Sequence, residues 1–225
     1  MGFTDLLMEE YDNLEPDEVK HYIHNIRNAS HNTYSLLENL LEWSRMQSGR
    51  LQFKMVRFDL SKEIAGVMDI LNSNAVRKGI QLTNKVQQGL EVDGDQNMIH
   101  SVIQNLVSNA IKFSNLRGEI IVSSEIKPLQ ALHKTHECSC SRKCVRISVR
   151  DFGIGIHPDA LPRIFSMTDH YTSIGTANEP GTGLGLILCK EMIERHGGEL
   201  SVVSKPGEGS TFFFTLPLPS DAICA

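Results

Sequence analysis

Apolar and near-apolar residues recur at Val19, Tyr22, Ile26, Ala29, Thr33, Leu36, Leu40 and Trp43, in steps that alternate three and four. A heptad seam kept for more than three repeats predicts a long helix. Pro16 suits its first turn, Asp17 and Glu18 suit its positive end, and Gly49 stops it. The predicted helix runs from 16 to about 47, with Leu37 and Leu41 widening the seam. A shorter helix over 3–11 precedes it, joined by a turn at 12–15. A helix of roughly 30 residues is about 45 Å long, longer than a small domain is wide. One reading is a long helix packed on its own domain. The sharper one is a helical hairpin that dimerises into a four-helix bundle.

Near residue 50 the pattern changes. Residues 51–59 read as a linker carrying a short strand at 51–56, and 60–219 as a second domain with a tail at 220–225. Ile64, Val67, Met68 and Leu71 put one apolar face on a helix over 61–75. Ile80 and Leu82 alternate with polar residues, as in a strand. Asp95 caps a helix over 96–113. Residues 119–126 and 145–151 are β-rich, and 184–196 is helical, ended by Gly197 and Gly198. Strands at 199–204 and 211–216 flank a hairpin turn, KPGEGS. Strands and helices mixed in this order predict an α/β sandwich with one helical layer.

The chain of 225 residues is long enough to bury a core without disulfides or metal. With 40% hydrophobic and 22% charged residues it reads as globular. A net charge of −5 argues against a general nucleic-acid surface. No apolar run reaches membrane-span length, and the acidic start lacks the basic opening of a secretory signal. Five cysteines, an odd number with three clustered, argue for a reducing compartment.

Four segments carry candidate chemistry. On the helix NLVSNAIKF, Asn105, Asn109 and Lys112 share a polar stripe at i, i+4 and i+7. It lies roughly 120° from the apolar stripe of Ile99, Val102, Ile103, Leu106 and Ala110. Two amides and an ammonium so aligned could hold a hydrated metal and a phosphate, or equally form a solvated face. DFGIGI follows a strand, where Asp151 could accept a hydrogen bond from a ligand amine beside the permissive Gly153 and Gly155. GTGLGL opens a helix, and Gly181, Gly183 and Gly185 leave backbone amides bare where an anion is favoured. It is neither the G-x-G-x-x-G fingerprint nor a P-loop. Between the last two lies an irregular stretch, 157–180, with a short helix expected at 158–165. So long a stretch in a compact domain is usually functional, often a lid.

In this order the segments resemble the dimerisation and ATP-binding core of two-component sensor histidine kinases, of the GHKL ATPase superfamily. NLVSNAIKF resembles the family's N box, DFGIGI and GTGLGL its two glycine boxes, and IFSM at 164–167 its F box. LLENLLEWSRMQSG at 36–49 is similar to the second helix of its dimerisation hairpin, and KPGEGSTFFFTLP at 205–217 to its closing hairpin. The resemblance implies an α+β chain: a helical dimerisation hairpin followed by a Bergerat-type α/β sandwich. It implies ATP and Mg²⁺ as cofactors, with Asp151 accepting from the adenine amine and Asn109 holding Mg²⁺. Asn105 and Lys112 would assist at metal and phosphates. The backbone of Gly181, Thr182, Gly183, Leu184 and Gly185 would cradle the phosphates. Ser210 or Thr211 would support the adenine pocket. The implied reaction moves the γ-phosphoryl group of ATP to a His, then to an Asp on a response regulator receiver domain. The implied setting is cytoplasmic, in a parent protein that can be membrane-anchored, with a homodimer formed through the N-terminal helices.

Two features depart from the family. Its phospho-accepting His lies on the first hairpin helix, roughly eleven residues before the Gly-Phe that here stands at Gly2 and Phe3. The acceptor is therefore expected to be missing, so that this chain alone would not label itself. His21, His24 and His31 lie on the second helix and read as solvated. Second, His133, His136, Cys138, Cys140 and Cys144 sit in an insertion with the spacing H-x2-H-x-C-x-C-x3-C. These ligands suit Zn²⁺, but the spacing matches no regular zinc motif, and a mobile loop with free thiols is the favoured reading. A GHKL serine kinase of the anti-sigma type is an alternative that the heptad helix argues against. A nucleotide-controlled dimerisation module without transfer is another.

Overall fold

The computed structural model describes residues 3–10, 14–47, 53–128, 143–166, 169, 172–177, 179 and 181–219. Helices α1 (Phe3–Glu10) and α2 (Pro16–Gln47) pack on each other as a hairpin. The acidic Asp17 and Glu18 sit in the first turn of α2, as its positive end favours.

The second region begins with β1 (Val56–Asp59), which pairs antiparallel with β3 (Glu91–Gly94). Of the strand expected at 51–56, residues 51 and 52 lie outside the described residues and only Val56 is in a strand. Only Val56 to Asp59 lie opposite β3, and 53–55 have no ladder to join. Phe58, read as linker, is a core residue. β3 itself had no sequence signal.

Asp59 caps α3 (Leu60–Arg77) by accepting from the N–H groups of Ser61 and Lys62, and Asp95 caps α4 (Gln96–Phe113) by accepting from Asn97 and Met98. Five strands form the main sheet: β2 (Gln81–Lys85), β4 (Glu119–Pro128), β5 (Lys143–Asp151), β6 (Leu200–Lys205) and β7 (Gly209–Pro217). Their order is β2-β4-β5-β7-β6, with β2 parallel to β4 and all other pairs antiparallel. Helices α3, α4 and α5 (Gly185–Arg195) pack side by side, and α4 lies on the central strand β5. Ile99, Ile103 and Leu106 of α4, Ile147 and Val149 of β5, and Phe214 of β7 are among the fully buried core. This is the expected α/β sandwich with one helical layer.

His196, at the end of α5, ties the layer together. Its Nδ1–H donates to Met192 O at 2.6 Å, and its Nε2 accepts from the Asp95 N–H at 2.9 Å. That pattern fixes the neutral tautomer, and burial keeps its pKa below the ordinary value. The helix expected over 158–165 is a single 3₁₀ turn, Pro158–Ala160, followed by turns through Phe165. No helix of the described residues is long and apolar enough to cross a membrane.

Candidate functional site

A cleft opens between α4, the start of α5 and the ends of β5 and β7. Counted out through its open mouth, its space is about 940 Å³.

Its sheet end is built around Asp151, the last residue of β5 and only 3% exposed. One carboxylate oxygen, Oδ1, accepts from the N–H of Gly153 at 2.9 Å and of Ser210 at 3.2 Å. Among the described residues no hydrogen bond engages Oδ2, so it remains available to a donor in the cleft. Burial raises the Asp151 pKa, and the backbone N–H groups only partly offset that. Ile154, Ile156, Ile164, Leu186 and Phe212 give this end an apolar wall. A flat, apolar ligand with one amine would match it.

Gly153 does not line the cleft. It packs where a Cβ would strike the Phe113 carbonyl, and its N–H fixes Asp151. Gly155 does line it, at a φ of 68° that only glycine adopts freely. The alternation of β7 separates Ser210 from Thr211. Ser210 shares a face with the buried Phe212 and Phe214, touches the cleft, and exchanges a hydroxyl hydrogen bond with Ser204 at 2.9 Å. Thr211 points to the other face.

The polar end is lined by Asn105, Asn109 and Lys112 of α4, facing Gly181, Thr182, Gly183 and Gly185. Asn109 donates from Nδ2 to Asn105 Oδ1 at 2.9 Å, which turns its own carbonyl oxygen away from that bond. Asn105 in turn lies against the α5 N-terminus, where a Cβ on Gly185 would collide with its amide. The polar stripe and the glycine-rich helix start are thus in direct contact. Leu184 is the N-cap residue of α5 without a capping side-chain bond, so the first amides of that helix stay open to an anion.

Lys112 donates to Ser173 O at 3.2 Å, and its Nζ lies 4.8 Å from the Phe113 ring centre. Burial lowers its pKa, the Glu179 carboxylate opposes that, and Lys78 adds to it. The metal test is one of donors. Asn109 offers a neutral amide oxygen, and no cluster of three His, Cys, Asp or Glu occurs among the described residues. Such a site fits a cation that keeps most of its waters and takes its charge partners from a bound phosphate, as Mg²⁺ does.

Three residues at this end carried no sequence signal. Lys78, Thr176 and Glu179 come together beside the last turn of α4, with Lys78 Nζ 2.7 Å from Glu179 Oε1. Burial acts to raise the Glu179 pKa. The hydrogen bond from Lys78 and the N–H of Ala177 outweigh it and hold the carboxyl below its usual range.

Of the Cys/His insertion, His133, His136, Cys138 and Cys140 lie outside the described residues. Cys144 belongs to β5 and is 2% exposed. Burial raises the pKa of its thiol, the reverse of what a thiolate metal ligand needs.

Comparison with known proteins is consistent with this geometry. A family model described as histidine kinase-, DNA gyrase B-, and HSP90-like ATPase matches residues 94–220, more than half of the chain. The chain is 31% identical over 224 residues to an uncharacterised sensor-like histidine kinase of Rhizobium meliloti, covering 99% of this chain and 40% of that protein. It is 34% identical over 225 residues to the sensor protein GacS of Pseudomonas syringae pv. syringae, covering 97% and 23%. The chain therefore spans 40% or less of these relatives. The solved structure of histidine kinase ThkA in complex with response regulator protein TrrA matches with a TM-score of 0.70 at 23% identity, over 97% of this chain and 57% of that one. That likeness shows the fold.

Proposed function

The chain belongs to the histidine kinase-, DNA gyrase B- and HSP90-like ATPase family, and on that premise we propose that it is the ATP-binding catalytic core of a sensor histidine kinase whose cleft holds Mg-ATP for transfer to a protein histidine. The single observation that carries the reading is the cleft with two unlike ends. Asp151 is buried in an apolar wall at one, and Asn105, Asn109 and Lys112 face the glycine-rich start of α5 at the other. Asp151 Oδ2 accepts from the adenine amine, with Ser210 holding the carboxylate in place. Lys112 and the open amides at 181–185 take the phosphates. Asn109 is the protein ligand of Mg²⁺, whose charge screens the phosphate oxygens when it is bound.

In the transfer, an imidazole nitrogen of the acceptor forms a bond to the γ-phosphorus. The bond to the bridging oxygen of ADP breaks, ADP leaves with that electron pair, and the imidazole loses its proton. This chain's part is positioning and charge stabilisation. A response regulator is the proposed downstream partner, by analogy with the ThkA complex with TrrA. The proposed setting is the cytoplasm, with a parent protein that can be membrane-anchored. Residues 1–50 are proposed as the dimerisation part and 60–219 as the ATP-binding part. Supporting a homodimer, α2 exposes Leu37 by 52%, Leu40 by 46% and Leu41 by 49%. A second copy of the hairpin would cover them.

Titration calorimetry of the 225-residue chain with Mg-ATP is the first test, and saturable binding with a stoichiometry of one is expected. Incubation with labelled ATP and a separate domain carrying an acceptor His is expected to put acid-labile phosphate on that His. Binding without transfer would reduce the function to nucleotide sensing.

A further inference from the structure

Lys78 lies just past α3, outside every segment that marks the cleft, yet its ammonium organises the polar end. It is 9% exposed, and its Nζ donates to Ile111 O, Lys112 O and Thr176 Oγ1, each at 2.9 Å, and pairs with Glu179 Oε1 at 2.7 Å. The two carbonyls belong to the last turn of α4, where orphan acceptors and the helix dipole favour a cation.

Lys112 is the focus of these contacts. Its carbonyl oxygen takes the bond from Lys78 and one from the Thr176 N–H at 3.0 Å, while the Thr176 hydroxyl, 3.1 Å away, gives its one proton to Ser114 O at the shorter distance of 2.7 Å. The loop then lies along its side chain. A Cβ on Gly175 would stand 2.6 Å from Lys112 Cγ, and one on Gly181 would stand 2.8 Å from its Nζ. Glu179 closes the loop on itself, accepting from Gly175 N–H at its carbonyl and from Ala177 N–H at its carboxylate. It also answers an electrostatic problem. Lys78 and Lys112 put two ammonium groups at one helix end, and Glu179 is the carboxylate that faces both. Against these contacts, the Lys112 ammonium itself has one hydrogen bond among the described residues, to Ser173 O at 3.2 Å. A phosphate oxygen can replace that long bond without disturbing the rest.

We propose that Lys78 and Glu179 form a latch that positions Lys112 for the phosphates of the nucleotide. Lys78 holds the Lys112 backbone, and Glu179 holds the loop that packs along its side chain. Both are positioning residues and neither touches the nucleotide. The latch prepays the ordering of the Lys112 side chain, so breaking it weakens phosphate binding without touching the adenine end. The inference rests on the ATP reading above and deepens it.

The test measures Mg-ATP and adenosine affinities of the 225-residue chain by calorimetry. Adenosine has no phosphates and reports the Asp151 end alone. Glu179→Gln, at a partly exposed position, is expected to weaken ATP by about fivefold, in the range of coupled side-chain networks, with adenosine unchanged. Lys78→Met is expected to weaken ATP more, and the double variant less than the two single losses combined, because the Lys78–Glu179 ion pair is lost in each single variant. Should Lys78→Met fail to fold, Glu179→Gln alone decides the matter. Equal loss of ATP and adenosine in that variant would mean general structural damage and would overturn the latch. So would an ATP affinity equal to wild type. A wild-type chain that binds no ATP overturns the underlying reading, and the latch with it.

Discussion

The two ends of the cleft are built by different means. At the sheet end, Asp151 closes a strand that is paired on both sides, by β4 and by β7. Its carboxylate is fixed by backbone N–H groups from the following turn and the neighbouring strand. At the polar end, Lys112 sits on the last turn of a helix, and its carbonyl is held by the Lys78 side chain and by Thr176 in a loop some sixty residues on. A ladder cannot shift one group without breaking several hydrogen bonds together. A side-chain latch can exchange partners one at a time. On the proposed ATP reading, rigidity is placed where the ligand stays the same throughout the reaction, the base, and exchangeable contacts where it changes, at the phosphates.

The largest effect should come from breaking the rigid end. Asp151→Ala removes the charged acceptor proposed for the adenine amine, a bond to a charged group worth about 1.5–3 kcal/mol. Affinity for ATP and for adenosine is expected to fall together, by about 10- to 100-fold. A variant that loses ATP but keeps adenosine would show that Asp151 does not serve the base. At the other end the expected loss is smaller and selective. Asn109→Ala removes the neutral ligand proposed for Mg²⁺, a cation that holds most of its waters, worth about 1 kcal/mol. ATP affinity should drop about fivefold in Mg²⁺ and stay as it was in excess chelator. If the response to Mg²⁺ is the same as in wild type, Asn109 is not the ligand.

The same contrast explains what could be read from the sequence. The bounds of α2 and α4 were legible because local signals agree: Pro16 at a first turn, Asp95 at a cap, a steady apolar period. Asp151 and the glycine-rich start of α5 were legible because each sits at a sharp change from one element to the next. β3 was not, since its four residues carry no period and exist as a strand only opposite β1, across some thirty-five residues of chain. Lys78 was hidden for a related reason. A basic residue at a helix end reads as an ordinary solvated cap, and only the fold carries it onto the carbonyls of a different helix. Glu179 and Thr176 stand in a segment without periodicity, so nothing local marks their partner. Ser210 could have been separated from Thr211 in advance, since it shares its parity with Phe212, Phe214 and Leu216 rather than with Thr215.

The smallest effect, and the one that isolates the rigid end without altering a residue, is a pH profile. On the proposed reading, Asp151 is a charged acceptor for the adenine amine only when ionised. Burial raises its pKa above the ordinary carboxylate value, with the N–H groups of Gly153 and Ser210 offsetting only part of the rise. The sign follows from linkage: the ligand prefers the deprotonated protein, so affinity is flat above the Asp151 pKa and falls as pH drops through it. Adenosine affinity should therefore begin to fall at a higher pH than an ordinary aspartate would give. The change grows toward acid. Acid also charges His196, whose buried neutral ring holds the Asp95 N–H. That loss falls on the stability of the whole layer, since the unfolded chain takes up its proton first as pH drops through the ordinary histidine range. Asp151→Asn separates the two. It keeps the size of the side chain and the His196 contacts but cannot titrate. Calorimetry at a series of pH values, restricted to those where circular dichroism shows an intact fold, should give wild-type affinity a slope and the Asn variant none. Matching slopes in the two proteins would place the titrating group elsewhere and remove Asp151 from the base site.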